Sequence, residues 1–181
     1  MIAAALLACV LGADDAVAPG SPDSTSARDV TAETLPKVVK IFGAGGLRGL
    51  PAYGTGFVIS PEGHIATAWN HVLDADPNIL AVLDDGRRLT CKLLAADPKA
   101  GLAVLQPDRD DLDLPYFDPA TFGPTRAGAR VLAFSNAYKV AGGDEPVGVQ
   151  RAVVSAVAKL DARSGRNAAG IDGPVLILDA P

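Results

Sequence analysis

Two histidines and two cysteines are the side chains of this 181-residue chain best suited to metal binding or proton transfer. An imidazole can serve as a general base for a hydroxyl or as a metal ligand, depending on its neighbours. His64, His71 and Cys91 show no metal-ligand spacing, and the glycines of residues 43–46 do not match a phosphate-binding loop. We therefore expect no metal and no cofactor, and we interpret residues 43–46 as a flexible connection between strands.

The charge balance excludes one class of partner. The formal net charge is -5 and the isoelectric point is near 4.9, so the chain has no basic field with which to hold phosphates. We expect no nucleic-acid partner. An unrelated adhesion or carbohydrate-binding module stays a minor alternative, because the aromatic content of 5% offers few rings for sugar platforms.

The first residues have the character of an export signal. Residues 1–13 are apolar and rich in Ala and Leu, and Asp14, Asp15 and small residues follow. The run is shorter than the roughly 20 residues needed to span a bilayer. We predict a signal peptide over 1–18, a flexible linker over 19–34, and an exported mature chain, periplasmic or extracellular, without a membrane span. A lipid-anchor site at Cys9 is a weaker alternative, because the basic start of such a signal is absent.

From residue 35 onward, short runs of Val, Ile and Leu alternate with Gly, Pro and Asp, which predicts an all-β domain. Asp84-Asp85-Gly86 and Pro61-Glu62-Gly63 are hairpin signals, because Gly tolerates the positive φ of a tight reversal. The predicted strands fall into a first group of six and, after a Pro-rich connection over 107–124, a second group of three. They are 38–42, 55–60, 64–68, 79–83, 88–95 and 102–106, then 130–135, 147–159 and 175–178.

Residues 54–67, with the sequence GTGFVISPEGHIAT, strongly resemble the second and third strands of HtrA and DegP proteases. His71-Val72, residues 80–87 and 96–105, and the shorter stretches 153–156 and 178–180 extend the resemblance over about 35–181. It implies a trypsin-like double Greek-key β-barrel, with a complete first barrel over about 35–107 and a partial second barrel over about 125–181. It also implies an extended or unfolded polypeptide as partner, and His71 as the catalytic base.

Three departures from the family pattern bear on catalysis, and the first is Gly101 at the place of the triad aspartate. Loss of that carboxylate's function lowers the turnover of a serine protease by about ten-thousand-fold. Asp97 is a poor substitute, because four residues along an extended strand span roughly 13 Å, beyond the reach of a hydrogen bond to the same imidazole. Asp74 and Asp76 follow His71 closely and are considered as replacements for the triad aspartate. Acidic residues just after a short turn are usually solvated, however, which argues against that role.

The second departure is that the chain ends at Pro181, before the expected serine loop and its oxyanion-hole amides. Ser60, Ser135, Ser155 and Ser164 do not match that loop. The third departure is an extra residue between Thr67 and His71, which puts Asn70 at the histidine's place unless a bulge absorbs it. Trp69 is expected to pack beside this site.

These residues favour a non-catalytic, exported HtrA-type domain that binds a peptide or a protein partner. The alternative is a fragment of an active serine endopeptidase whose nucleophile lies downstream of Pro181. The oligomeric state is left open by the sequence.

Overall fold

The structure, a computed structural model, describes residues 26–46, 50–69, 73, 79–136, 141, 145–162 and 171–179. The predicted signal peptide, Asn70, His71, Asp74, Asp76 and Ser164 lie outside the described residues. Nine strands and one α-helix form the regular framework of the described part. They are α1 (Ala27–Thr34), β1 (Val38–Gly46), β2 (Leu50–Val58), β3 (Ile65–Ala68), β4 (Ile79–Val82), β5 (Arg88–Asp97), β6 (Leu102–Pro107), β7 (Arg130–Ser135), β8 (Gly148–Ala162) and β9 (Ile171–Asp179).

Strands β1 to β6 close into an antiparallel barrel in the order β1-β2-β3-β6-β5-β4. Alternate residues of each strand point inward, as the period of two in the sequence predicts: Ile65 and Thr67 of β3 are buried, whereas Ala66 and Ala68 are partly exposed. The interior is filled by aliphatic side chains. Its members include Val39, Ile41, Val58, Ile65, Ile79, Ala81, Leu89, Cys91, Ala103 and Leu105.

Two predicted hairpin turns are confirmed at the glycines that the sequence marks. Gly63 has φ +87° between β2 and β3, and Gly86 has φ +81° between β4 and β5. The amide of Gly86 donates to the carbonyl of Leu83 at 3.1 Å, which closes the second turn. A side chain with a Cβ would be strained in this left-handed conformation, so these positions favour glycine.

Gly56 is required for a different reason, namely the close approach of its neighbours inside the barrel. A Cβ at this position would lie 2.6 Å from Cγ2 of Ile65, 2.7 Å from Cδ1 of Ile41 and 3.0 Å from the carbonyl oxygen of Ala66. Gly54, two residues earlier on β2, has nothing within 4 Å of the same virtual atom. On the same strand, a side chain is therefore excluded by close packing at Gly56 and has room at Gly54.

Two segments predicted as flexible are regular structure instead. Residues 27–34 form α1, whose N-cap Ser26 accepts from the amide of Asp29 while the Asp29 carboxylate accepts from the amide of Ser26. This reciprocal capping box satisfies amides that a helix start leaves open. Residues 43–46 continue β1, and Gly46 pairs with Leu50 of β2.

The second unit is an antiparallel sheet in the order β7-β8-β9. It docks on the first barrel through a cluster that contains Val38 of β1, Phe117 of the connection, Phe134 of β7 and Val147. The rings of Phe57 and Phe117 meet edge to face at 5.9 Å, a favourable aromatic geometry. No helix in the described part of the chain is both long and apolar enough to cross a membrane.

Candidate active-site region

The hairpin between β5 and β6 brings the expected aspartate position next to the segment that leads to His71. Ala68, the last residue of β3, pairs with Leu102 of β6. The next amide, that of Trp69, donates to the carbonyl of Gly101 at 2.8 Å. Gly101 therefore lies across the ladder from a residue two positions before His71, and Trp69 packs partly buried against the barrel core.

Gly101 contributes backbone only to this region. It has φ +67°, in the left-handed region that favours glycine over side chains with a Cβ. Its carbonyl is used by Trp69, and it has no side-chain acceptor for an imidazole N–H. The positive φ of this turn is adopted most easily by glycine, so the backbone conformation itself favours glycine at position 101.

Asp97 lies closer to Gly101 than an extended strand predicts, because the chain turns between them. Asp97 pairs with Leu102 across the hairpin, so the expectation of about 13 Å of extended strand is wrong. Its carboxylate is nevertheless committed locally. Oδ1 accepts from the amides of Lys99 at 2.9 Å and Ala100 at 3.1 Å, and these bonds close the turn. Asp97 thus stabilises the turn that presents Gly101.

A serine and a histidine that the sequence analysis did not pair meet in the β2–β3 turn. Ser60 Oγ lies 2.8 Å from His64 Nδ1, and it also accepts from the backbone amide of His64 at 3.4 Å. A hydrogen bond from Ser60 is the main cause that holds the pKa of Glu62 below its ordinary value. Ser60 and His64 lie within five residues of one tight turn, so these contacts stabilise that turn.

The other described serines outside the helix cap lie in the second sheet. Ser135 is buried at the end of β7 and pairs with Gly148. Ser155 is exposed on β8, at the irregularity in register between Val154 and Ala156. Both are strand residues, so neither stands on a loop that could present its hydroxyl together with backbone amides.

Buried polar side chains join the two units beside β2 and β3. Thr67 Oγ1 donates to the carbonyl of Thr55 at 2.9 Å, and the amide of Asn136 donates to Thr55 Oγ1 at 2.8 Å. Asn136 follows β7, so Thr55 connects β3 of the first barrel with the end of a strand in the second sheet. These groups satisfy one another away from water, as buried polar groups require.

A second buried contact holds the segment that follows β7 against the first barrel. Nζ of Lys40, which is 2% exposed on β1, donates to the carbonyl of Glu145 at 2.6 Å. The Asn136 amide group meanwhile donates to the carbonyl of Ala141 and accepts from its amide, at 2.9 and 3.0 Å. Residues 136 and 145 are thus both held on the first barrel by groups that face the boundary between the units.

No group of three or more His, Cys, Asp or Glu side chains that could bind a metal occurs in the described part of the chain. Cys91 is a buried thiol of the barrel interior, and burial raises its pKa to about 12. A thiol that stays protonated is a poor nucleophile and a poor metal ligand. Its surroundings are those of a small apolar core residue.

A closed six-stranded antiparallel barrel with a second antiparallel sheet docked on it is the architecture of a trypsin-like double β-barrel, here with the second sheet partly present. A family model described as a trypsin-like peptidase domain matches residues 54–176, more than half of the chain. The chain belongs to this family of trypsin-like peptidase domains, and it is similar to DegP-like and HtrA-type proteases. The fold class inferred from the sequence is confirmed.

Among curated proteins, the chain resembles those named probable periplasmic serine endoprotease DegP-like. The protein from Bartonella henselae is 37% identical over 91 residues, which cover 50% of this chain and 18% of the relative. The one from Halomonas elongata is 46% identical over 59 residues, covering 33% of this chain and 12% of the relative. The matched region is therefore less than a fifth of the length of these relatives.

Solved structures share the fold at low sequence identity. The HtrA-type protease AlgW with a bound decapeptide matches with a TM-score of 0.62 and 21% identity, covering 86% of this chain and 52% of AlgW. The MamO protease domain from Magnetospirillum magneticum matches with a TM-score of 0.64 and 22% identity, covering 82% and 74% of the two chains. At these identities the likeness concerns architecture alone.

Proposed function

We propose that this chain is a non-catalytic, exported HtrA-type domain that binds extended or unfolded polypeptide. The observation that carries the proposal is Gly101 at the aspartate position, joined through its carbonyl to Trp69 on the approach to His71. The general base of a serine protease needs a carboxylate to fix its tautomer and steady its positive charge. Gly101 has none, and the carboxylate of Asp97 is engaged in its own turn.

The role of His71 belongs to the same proposal. The residue lies outside the described part of the chain, and one extra residue separates it from Thr67 relative to the family pattern. If His71 occupies the base position, it lacks an orienting acceptor at Gly101. If Asn70 occupies that position, an amide replaces the base. Either arrangement predicts that peptide-bond cleavage is lost while the barrel scaffold is kept.

Polypeptide as the ligand and the periplasm as the compartment follow from relatives. AlgW was solved with a decapeptide, and the DegP-like relatives are named periplasmic. The apolar start of the sequence supports export of this chain. We take the domain boundaries to be 1–18 for the signal peptide, 19–34 for the segment ahead of the barrels, which contains α1, and 35–181 for the barrels.

The test uses the full-length protein with fluorescent, unfolded casein as both substrate and ligand. We expect casein to bind, seen as a rise in fluorescence anisotropy, without release of fragments above the buffer rate. Gly101→Asp and Gly101→Asn form a matched pair, because both residues tolerate positive φ but only Asp supplies a carboxylate. Cleavage gained by Gly101→Asp alone would support Gly101 as the cause of inactivity. Cleavage by the unaltered protein at ordinary protease rates would refute the proposal.

A second candidate is an active serine endopeptidase whose nucleophile lies downstream of Pro181. It is favoured by the small share of the DegP-like relatives, 18% in the first case, that the matched region covers. A fluorophosphonate probe distinguishes the two candidates, because it labels an activated serine covalently. Labelling of the native full-length protein that disappears after heat denaturation supports this candidate, and its absence together with casein binding supports the non-catalytic domain.

A further inference from the structure

An open groove separates α1 from the second sheet, on the face of β7 and β8 that α1 only partly covers. It measures about 460 Å³, within the range of pockets that bind small ligands or peptide side chains. Leu35 and Leu132 line it on the side of the inter-unit core, and Val149 lines it from β8 with 37% of its surface exposed. Its floor is therefore aliphatic.

Two arginines line this groove, and neither belongs to an ion pair among the described residues. Arg28 stands on α1 and Arg151 on β8, and both are exposed. The described salt bridges are made by other cations, Lys37, Arg87 and Arg109. In a chain of net charge -5, two arginines beside an aliphatic floor without an acidic lining residue form a local positive site.

The acidic residues of α1 form no ion pair with these arginines in the described part of the chain, and both have other partners. The carboxylate of Asp29 is bound to the N-cap Ser26, and Glu33 pairs with Lys37 at 3.0 Å. The helix thus presents Arg28 toward the groove while its own carboxylates are occupied. A ligand that supplies a carboxylate would meet a guanidinium, the cationic group best suited to bind a carboxylate in two places at once.

The apolar surface extends beyond the groove along the same face of the sheet. Val149, Arg151 and Val153 are alternate residues of β8, and pairing places Phe134, Leu132 and Arg130 of β7 opposite them. Val153 is 42% exposed, and Ile177 of β9 is 46% exposed. Aliphatic and cationic side chains therefore alternate on this face of β8, which would suit an extended ligand in which every second residue faces the sheet and is in turn aliphatic and acidic.

We propose that the groove between α1 and β8 is a docking site for an acidic-aliphatic polypeptide segment, with Leu132 and Val149 receiving aliphatic side chains and Arg28 and Arg151 receiving carboxylates. This site is separate from the hairpin of Gly101 and from the proposed loss of catalysis. Its occupant is an extended segment of another protein in which every second residue is in turn aliphatic and acidic. Because the contacts are exposed charge pairs over an apolar floor, binding is weakened by salt.

The experiment measures fluorescence anisotropy of the fluorescein-labelled decapeptide Leu-Ser-Glu-Ser-Leu-Ser-Glu-Ser-Leu-Ser, titrated with the full-length protein, because this spacing puts Leu and Glu on one face of an extended chain. The same decapeptide with Lys in place of each Glu is the ligand control. We expect the acidic peptide to bind, the basic peptide not to bind, and affinity to fall as NaCl rises from about 50 to about 500 mM. The double variant Arg28→Glu with Arg151→Glu is expected to weaken binding at least about tenfold.

Arg88→Glu is the matched control variant, an exposed charge reversal at the start of β5 in the first barrel. It should leave the affinity unchanged. Circular dichroism establishes that each variant is folded, and Arg28→Gln with Arg151→Gln replaces the reversal if the latter is not. Equal binding of both peptides, or equal loss in the Arg88 variant, would overturn the proposal. So would a dimer seen by sedimentation that the double reversal dissociates, because the occupant would then be a second copy. Casein cleavage, by contrast, bears on the proposed function alone.

Discussion

Gly56 provides a sharp test of the packing inside the first barrel, through its replacement by alanine. The added Cβ would lie 2.6 and 2.7 Å from methyl groups of Ile65 and Ile41 and 3.0 Å from the backbone carbonyl of Ala66. Real Cβ atoms essentially never approach heavy atoms to less than 3.0 Å, so the two isoleucine side chains or the strands that carry them must shift. Overpacking of this kind costs about 1–3 kcal/mol.

A smaller effect opposes that cost. Replacing glycine by alanine removes conformational freedom from the unfolded chain, which favours folding by about 0.4–1 kcal/mol where the native backbone allows a Cβ. Gly54→Ala isolates this effect, because its Cβ meets nothing within 4 Å on the same strand. We expect Gly54→Ala to be neutral or slightly stabilising, and Gly56→Ala to lower the free energy of unfolding by about 1–2 kcal/mol.

Urea unfolding followed by tryptophan fluorescence measures both variants, since Trp69 packs against this core. The two variants should differ in the urea concentration at the unfolding midpoint, and the dependence of the free energy of unfolding on urea concentration should stay the same. Adding Ile41→Val removes the Cδ1 methyl that lies 2.7 Å from the virtual atom. Ile41→Val should therefore lower the free energy of unfolding less in the Gly56→Ala variant than in the unaltered protein. Equal stability of Gly54→Ala and Gly56→Ala would refute the packing described here.

Three further predictions concern buried or capping groups. Burial raises the pKa of the Cys91 thiol from 9.0 to about 12, so above pH 9 the unfolded chain releases a proton that the native state keeps. Urea unfolding at about pH 8 and about pH 10.5 should show about 2 kcal/mol more loss of stability in the unaltered protein than in Cys91→Ala. The Thr34 hydroxyl is buried and has no hydrogen-bond partner among the described residues. Thr34→Val should therefore raise the free energy of unfolding by about 1 kcal/mol, seen as a higher midpoint in thermal unfolding. Ser26→Ala should cost about 1 kcal/mol in urea unfolding through loss of the N-cap, whereas Ser26→Asp should retain it.

The strands of the first barrel were predictable from the sequence because each buries one face. The period of two in residues such as Ile65 and Thr67 survives in the structure, and β3, β4 and β6 lie within one residue of their predicted bounds. Gly63 and Gly86 marked their turns because positive φ restricts residue choice. Local physical rules were sufficient for these elements.

Helix α1 was missed because its composition of small and polar residues resembles a linker. The signal that could have found it is Ser26 followed three residues later by Asp29, which form the capping box. The continuation of β1 over residues 43–46 was missed because glycines carry no strand signal of their own. There the pairing with β2 decides the conformation.

The candidate site was only partly accessible to sequence reasoning. Gly101 could be placed from the family pattern, but the engagement of Asp97 with Lys99 and Ala100 depends on a turn that no periodicity reports. The contacts of Lys40 with Glu145 and of Thr55 with Asn136 join residues 105 and 81 positions apart. Such long-range polar contacts depend on how the two units pack against each other. The hydrophobic pattern along a single strand does not predict that packing.

The anchoring of residues 136 and 145 on the first barrel has an evolutionary consequence. Thr55 accepts from the backbone amide of Asn136, and Lys40 donates to the backbone carbonyl of Glu145. Both anchors therefore use main-chain groups of the second unit, which every residue except proline supplies. Substitutions at positions 136 and 145 can thus accumulate while these two bonds between the units are kept.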